Sequence, residues 1–145
     1  MPITINGTGT ITGISAGGLP DGVITTDDIA ANAVTLGKIG TTEQGQLCKA
    51  WVNFNGTGTV AIRASFNVSS ITDNGTGDYT VNLTNALADA NYSFVSQASG
   101  SSSYFLFSSS RISDAKTASA YRFVTVRNDA GNIDDPSFVN VAIFR

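Results

Sequence analysis

The sequence predicts a mainly β protein, with an antiparallel, jelly-roll-like β-sandwich head behind a short extended and helical N-terminal segment. Apolar residues occupy every second position of two segments, which is the period of half-buried strands; they are Val60, Ile62, Ala64, Phe66, Val68, Tyr79, Val81 and Leu83. Two similar turns, Asn55–Gly58 and Asn74–Gly77, begin with the Asn-Gly pair that favours tight hairpins. The composition agrees, because 15 glycines and only 13% charged residues suit strands and turns.

The N-terminal segment has a pattern of its own. Residues 1 to about 20 alternate isoleucine with Thr, Gly and Ser, which predicts extended backbone with little to pack against. After a Gly-rich turn at residues 17–22, residues 24–29 match residues 34–39 at an offset of ten. We expect one or two helical turns from about residue 26 to residue 39, with Thr26 as a cap. Short repeats of this kind bury their apolar residues against copies of themselves.

A polar linker at residues 40–46 separates this segment from the strand-rich remainder. We therefore divide the chain into residues 1–45 and residues 46–145. Turn signals about every ten residues predict a sandwich of roughly 100 residues. The predicted strands cover residues 50–54, 60–68, 79–84, 92–97, 104–107, 120–127 and 138–144.

The last predicted strand is apolar on both faces. Val139, Val141 and Ile143 alternate with Phe138, Ala142 and Phe144, and only Asn140 is polar. A strand of a small antiparallel sandwich normally shows one face to water. This strand is therefore expected at the centre of a sheet or at a subunit interface, and the protein is expected to be an oligomer.

Charge and composition exclude several kinds of partner. The net charge of −3 and the eight scattered Lys and Arg residues argue against nucleic-acid binding. The chain starts without a basic and apolar signal segment and has no window apolar enough to insert in a membrane, so we expect a cytoplasmically made protein. Cys48 is the only cysteine, which excludes an intramolecular disulfide and favours a buried or half-buried side chain.

The sequence offers little for catalysis. The absence of histidine excludes Ser-His-Asp and Cys-His sites. A two-carboxylate glycosidase that depolymerises glycans stays formally possible, since 11 acidic residues are present. Most of them lie in predicted turns, where Asp accepts backbone N–H bonds; examples are Asp21, Asp73, Asp78 and Asp129. We predict no enzyme activity and no cofactor.

Residues 129–135 contain three carboxylates and one amide, a pattern that an oxygen-liganded Ca²⁺ ion accepts. The segment lacks the spacing and the terminal Glu of an EF-hand loop. A turn ahead of Pro136 explains the same residues, so no metal is predicted.

Aromatic residues offer a second candidate site. Trp51 and a cluster of five further aromatic residues could stack on sugars, although most are better interpreted as core; the five are Tyr104, Phe105, Phe107, Tyr121 and Phe123. The Ser-rich loops at 99–103 and 108–118 are better candidates for a binding surface. The predicted receptor contacts are Ser101, Ser102, Tyr104, Ser109, Arg111, Asp114 and Lys116.

Two stretches resemble bacteriophage tail fibres and related virion structural proteins. The N-terminal ITINGTGTITG, followed by a Gly-Leu-Pro turn and DIAANAVTLGKI, resembles their N-terminal region. The strings WVNFNG, SFNVSS and GDYTVN resemble the C-terminal β-domain of such proteins in marine and cyanobacterial phages. Together the resemblances extend to about Gln97.

The resemblance implies a homotrimeric virion protein without enzymatic function, a short tail fibre whose head attaches to the host surface. The alternative is a head fibre or decoration protein on the capsid surface. Expected partners are copies of the chain itself, other tail, baseplate or capsid proteins, and a host surface glycan or protein. The N-terminal segment is expected to anchor and trimerise the protein through Ile3, Ile5, Ile11, Ile14, Leu19, Ile24, Ile29, Val34 and Ile39.

Overall fold

The computed structural model describes residues 24–99, 106–110, 116–128 and 131–145. The chain separates into two compact units, Met1–Gly40 and Thr41–Arg145. The division falls just before a short helix, α1 (Thr41–Gln46), and so lies N-terminal to the predicted boundary between residues 45 and 46.

The described part of the first unit contains two 3-10 turns, Thr26–Asp28 and Leu36–Lys38. The ten-residue sequence repeat is therefore also a structural repeat, and the prediction of helical turns over about 26–39 is confirmed. The N-caps are Thr25 and Thr35, both extended, so the predicted cap at Thr26 is wrong by one residue. The Asp28 carboxylate accepts hydrogen bonds from the Thr25 backbone N–H and hydroxyl at 2.9 and 2.8 Å. The backbone bond lowers the pKa of Asp28.

The second unit is a sandwich whose eight described strands form two four-stranded antiparallel sheets. The strands are β1 (Cys48–Asn55), β2 (Ala61–Phe66), β3 (Val68–Asp73), β4 (Asp78–Leu83), β5 (Ser93–Ala98), β6 (Leu106–Ser110), β7 (Ala120–Arg127) and β8 (Val139–Phe144). Sheet A has the order β2-β1-β8-β5 and sheet B the order β3-β4-β7-β6. The predicted β-sandwich is confirmed.

The strand order departs from a jelly roll. Eight strands in two sheets is the jelly-roll strand number. The successive pairs β1–β2, β3–β4 and β6–β7 are hydrogen-bonded neighbours within one sheet here, and short connections close β1–β2 and β3–β4 as hairpins. The jelly-roll-like part of the prediction is therefore wrong in its connectivity.

The strand predicted over residues 60–68 is not one strand. The chain passes from sheet A to sheet B at Asn67, whose φ of 55° breaks the extended backbone. The Asn67 side chain fixes this corner, donating to Lys49 O and Asn85 O and accepting from Asn85 N–H. The predicted half-burial is wrong for β2, which is exposed along its whole length as an edge strand. Both predicted Asn-Gly hairpins are present.

The core lies between the inner faces of the two sheets. Aromatic rings from both sheets meet there, with Phe54 packed edge-on against Tyr79 at 5.2 Å and Tyr121 stacked on Phe123 at 5.7 Å. Val139, Val141 and Ile143 of β8 complete the layer, and β8 is central in its sheet, which is one of the two predicted positions. The alternation of β4 is also confirmed, because Tyr79, Val81 and Leu83 are buried.

The segment before Pro136 closes one end of the sandwich. The Asp135 carboxylate accepts hydrogen bonds from the Tyr79 hydroxyl and from Gly77 N–H at 2.7 and 2.6 Å. Gly77 has a φ of +62°, and a Cβ there would come within 2.7 Å of Asp134 N, so only glycine fits. The acidic residues of this loop that the structure describes, Asp134 and Asp135, therefore bind backbone and tyrosine groups of the fold.

Candidate functional site on the outer face of sheet A

The outer face of sheet A carries an apolar row that crosses all four strands. Alternation along β1 buries Ala50, Val52 and Phe54, and so turns Trp51 outward with 41% of its surface exposed. In the strand register, Trp51 is opposite Phe66 of β2 on one side and Ala142 of β8 on the other. Ala142 is in turn opposite Val95 of β5. The row is Phe66, Trp51, Ala142 and Val95, and Phe66 and Val95 are 55% and 64% exposed.

The middle of this row is concave. Ala142 has a small side chain and lies on β8, between Trp51 on β1 and Val95 on β5. Two strand spacings separate β1 from β5, roughly 10 Å. The large side chains thus stand on either side of a methyl group. The result is a shallow depression of about 360 Å³, lined by Trp51, Val52, Asn53, Val95, Ser96, Gln97, Asn140, Val141 and Ala142.

A row of amides borders the apolar row. In the strand register, Asn140 of β8 is opposite Asn53 of β1 and Gln97 of β5. Each of these amides is two residues from the member of the apolar row on its own strand, and so lies on the same face. The Asn53 amide donates to Asn140 Oδ1 at 2.7 Å and to Val139 O at 3.4 Å. Asn53 Oδ1, Asn140 Nδ2 and the Gln97 amide then have no partner within the described ranges. We call this surface the sheet A platform; it comprises Trp51, Asn53, Phe66, Val95, Gln97, Asn140 and Ala142.

The platform is electrically neutral at its centre. None of the nine residues that line the depression carries an ionisable side chain. The platform can therefore offer an apolar contact together with neutral donors and acceptors, a combination typical of small-molecule sites. Its volume lies at the small end of the usual range, which is roughly 300–1,000 Å³.

The outer face of sheet B is built differently. Its polar side chains bind one another: Asn82 donates to the Ser70 and Thr72 hydroxyls at 3.1 and 2.9 Å. Arg122 forms two bonds of 2.9 Å with the nearly buried carboxylate of Asp78. The prediction that Asp78 is a turn residue is therefore incomplete, because its carboxylate belongs to an ion pair across β4 and β7.

Most of the predicted receptor contacts lie outside the described residues, namely Ser101, Ser102, Tyr104, Arg111 and Asp114. Ser109 is exposed on β6 of sheet B. Lys116 donates to Tyr92 O at 3.1 Å and lies 5.4 Å from the centroid of the Tyr92 ring. Neither described residue belongs to the sheet A platform.

Of the predicted anchoring residues, Ile3, Ile5, Ile11, Ile14 and Leu19 also lie outside the described residues. Ile24, Ile29 and Val34 are 54%, 43% and 57% exposed, and Ile39 is half-buried. Leu36, which the prediction omitted, is 57% exposed in the second turn. The described anchoring candidates therefore form a largely exposed apolar repeat.

The aromatic prediction separates into two outcomes. Tyr121 and Phe123 are fully buried, which confirms their interpretation as core. Trp51 lies instead on the outer face of sheet A, where it and Phe66 are the aromatic residues of the platform. Its neighbours Val95, Gln97, Asn140 and Ala142 were missed because their proximity depends on strand order. The alternation of Trp51 and Asn53 with buried residues was the available signal.

Among the described residues, no three His, Cys, Asp or Glu side chains lie close enough together to hold a metal ion. The described helices include none long and apolar enough to cross a membrane. Cys48 is half-buried, as predicted.

Comparison of the chain with protein-family models, with curated protein sequences and with solved structures gives no significant match. The resemblance to phage virion proteins described above therefore stays a prediction.

Proposed function

We propose that this chain is a non-enzymatic structural and attachment protein of a bacteriophage particle. In this proposal it is a short trimeric tail fibre, anchored by its N-terminal segment and presenting the β-sandwich head to the host surface. The resemblance of both parts to virion proteins supports this assignment, as does the division of the chain into two unlike units.

The observation that carries the proposal is the exposure of the N-terminal repeat. Ile24 and Val34, which occupy equivalent positions of the ten-residue repeat, are 54% and 57% exposed, and Ile29 is 43% exposed. Large apolar side chains that recur at a fixed spacing on the surface of a chain are usually buried by other copies of the repeat. The head, in contrast, has a complete core of its own. Self-association through the N-terminal segment accounts for both facts.

Sedimentation of the full chain tests the oligomer. We expect a trimer at micromolar concentration, and we expect a triple variant with Ile24→Ser, Val34→Ser and Leu36→Ser to sediment as a monomer. Val124→Ser, on the outer face of sheet B, is the matched control and should stay trimeric. A monomeric wild-type chain would contradict the proposal.

Immunolabelling of intact particles tests the location. Label at the tail tip or baseplate supports a tail fibre. Label over the capsid would replace the tail fibre by the alternative, a head fibre or decoration protein. Absence of label from purified particles would contradict both.

A further inference from the structure

We propose that the sheet A platform is a binding site for neutral saccharides and that it, rather than the Ser-rich loops, supplies the head's contact with the host surface. The inference rests on the proposed attachment function and assigns a site and a ligand class to it.

The chemistry of the lining suits a neutral sugar. A pyranose ring has apolar C–H faces and a rim of hydroxyls, so its site needs an apolar surface beside neutral donors and acceptors. Trp51 and Val95 supply the apolar surface on either side of Ala142. Asn53 Oδ1 offers an acceptor, Asn140 Nδ2 offers a donor, and the Gln97 amide offers both.

Two of these amides are also preorganised. Asn53 Nδ2 is held by Asn140 Oδ1 at 2.7 Å, which fixes both planes. Asn53 Oδ1 and Asn140 Nδ2, which have no partner in the described part of the chain, then present one acceptor and one donor from adjacent strands. Two neighbouring sugar hydroxyls need such a pair, since one hydroxyl can donate while the other accepts. A fixed pair also loses little side-chain entropy on binding.

The lining carries no ionisable residue, so it offers no opposite charge to a carboxylate, phosphate or ammonium group. A charged ligand would lose hydration there and gain only neutral amide groups in return. A neutral sugar keeps its hydrogen bonds by exchanging water for amides.

A second copy of the chain is the competing occupant, because Phe66 and Val95 extend the apolar row beyond the depression. The concavity favours the sugar. If the same concave face of a second copy packed against it, the depression of about 360 Å³ would stay unfilled and the three amides unpaired, whereas close packing and paired polar groups characterise stable interfaces. The test must separate the two occupants.

The experiment uses the full chain and the fluorescence of Trp51, the only tryptophan. Methyl glucoside, methyl galactoside, methyl mannoside and N-acetylglucosamine are titrated separately, with glucuronate as a charged comparison. We expect at least one neutral sugar to change the emission saturably, with Kd on the order of 1 mM for so small a ligand. Glucuronate should bind no more tightly than glucoside.

Ala142→Leu fills the depression and keeps Trp51 as the reporter. It should weaken binding of the active sugar about tenfold or more, whereas Val124→Leu on sheet B should change it less than about twofold. Gln97→Ala, on an edge strand, is the second variant if Ala142→Leu does not fold, and should weaken binding measurably.

Three outcomes would overturn the inference. The first is no saturable change in emission with any neutral sugar, and the second is unchanged binding in both platform variants. The third is an emission spectrum that changes with protein dilution in step with trimer dissociation, since the platform would then be the subunit interface. A trimer that binds no sugar would contradict this inference but not the proposed trimeric fibre. Sugar binding by a monomeric wild-type chain would contradict the trimeric fibre but not this inference.

Discussion

Sheets A and B have similar inner faces and dissimilar outer faces. Both bury aromatic and branched side chains against each other. Outside, sheet B joins its polar groups to one another, as in the Arg122–Asp78 pair and the bonds of Asn82. Sheet A instead exposes Trp51 and Val95 beside amides that form only some of the hydrogen bonds they could form. When the polar groups of a face already bond one another, a binding partner adds few hydrogen bonds. A partly apolar face with unpaired amides gains more binding free energy from a partner.

The largest expected effect tests the similarity of the inner faces. Phe54 of sheet A and Phe123 of sheet B are both fully buried. Phe54→Ala and Phe123→Ala should each lower the free energy of unfolding by about 3–5 kcal/mol. Denaturant titration of each variant measures the change. A loss below about 1 kcal/mol for Phe54→Ala alone would mean that sheet A is not packed as described.

The next effect tests whether the polar side chains on the outer face of sheet B stabilise one another. Arg122→Leu removes the charged partner of the Asp78 carboxylate, whose side chain is only 5% exposed. The loss of this ion pair from a buried carboxylate costs about 1–3 kcal/mol, at the lower end here because Arg122 is itself partly exposed. Denaturant unfolding at neutral pH gives the loss. Asn140→Ala, on the outer face of sheet A, should change stability by less than about 1 kcal/mol. Equal losses in the two variants would remove the contrast between the faces.

A smaller effect concerns pH and the interior that the sheets share. Burial, a hydrogen bond to Asp135 and nearby acidic charges raise the pKa of Tyr79 above its ordinary value of 10.0. Burial, with a contribution from Tyr121, raises the pKa of Tyr92 to about 12. Because both folded-state values are raised, the stabilisation is complete below about pH 10 and is lost as the pH rises toward and beyond 12.

Unfolding midpoints measured between about pH 9 and pH 11.5 should therefore fall above pH 10. Tyr92→Phe should reduce that fall, since phenylalanine has no proton to lose. A midpoint that stays level to pH 11.5 in the wild-type chain would contradict the burial of these hydroxyls.

Much of the fold follows from local pattern. Asn-Gly pairs predicted both hairpins, and alternation identified the buried face of β4. The doubly apolar β8 was expected at a sheet centre or at a subunit interface, and it lies at a sheet centre. The exception inside the pattern was residues 60–68. Alternation there describes one strand, but the φ of 55° at Asn67 is a tertiary feature, held by bonds to Lys49 and Asn85.

The platform could not be predicted as a site. Its residues come from four strands, and nothing local brings Val95 and Gln97 of β5 beside Asn140 and Ala142 of β8. Even β1 and β8, which are paired in the sheet, lie near opposite ends of the head's sequence. Trp51 was recognised as a candidate aromatic, but the partners that make it a site depend on strand order, which pairing across the whole sheet determines.

The most direct test of the contrast between the two faces is the accessibility of Trp51 in the assembled protein. Acrylamide quenching is measured on the full chain at concentrations where sedimentation shows the oligomer, with and without a saturating neutral sugar. We expect Trp51 to stay quenchable in the oligomer and to become protected when the sugar is added. Protection on oligomerisation alone, with no further change on adding any sugar, would show that a subunit covers the platform and would contradict the account.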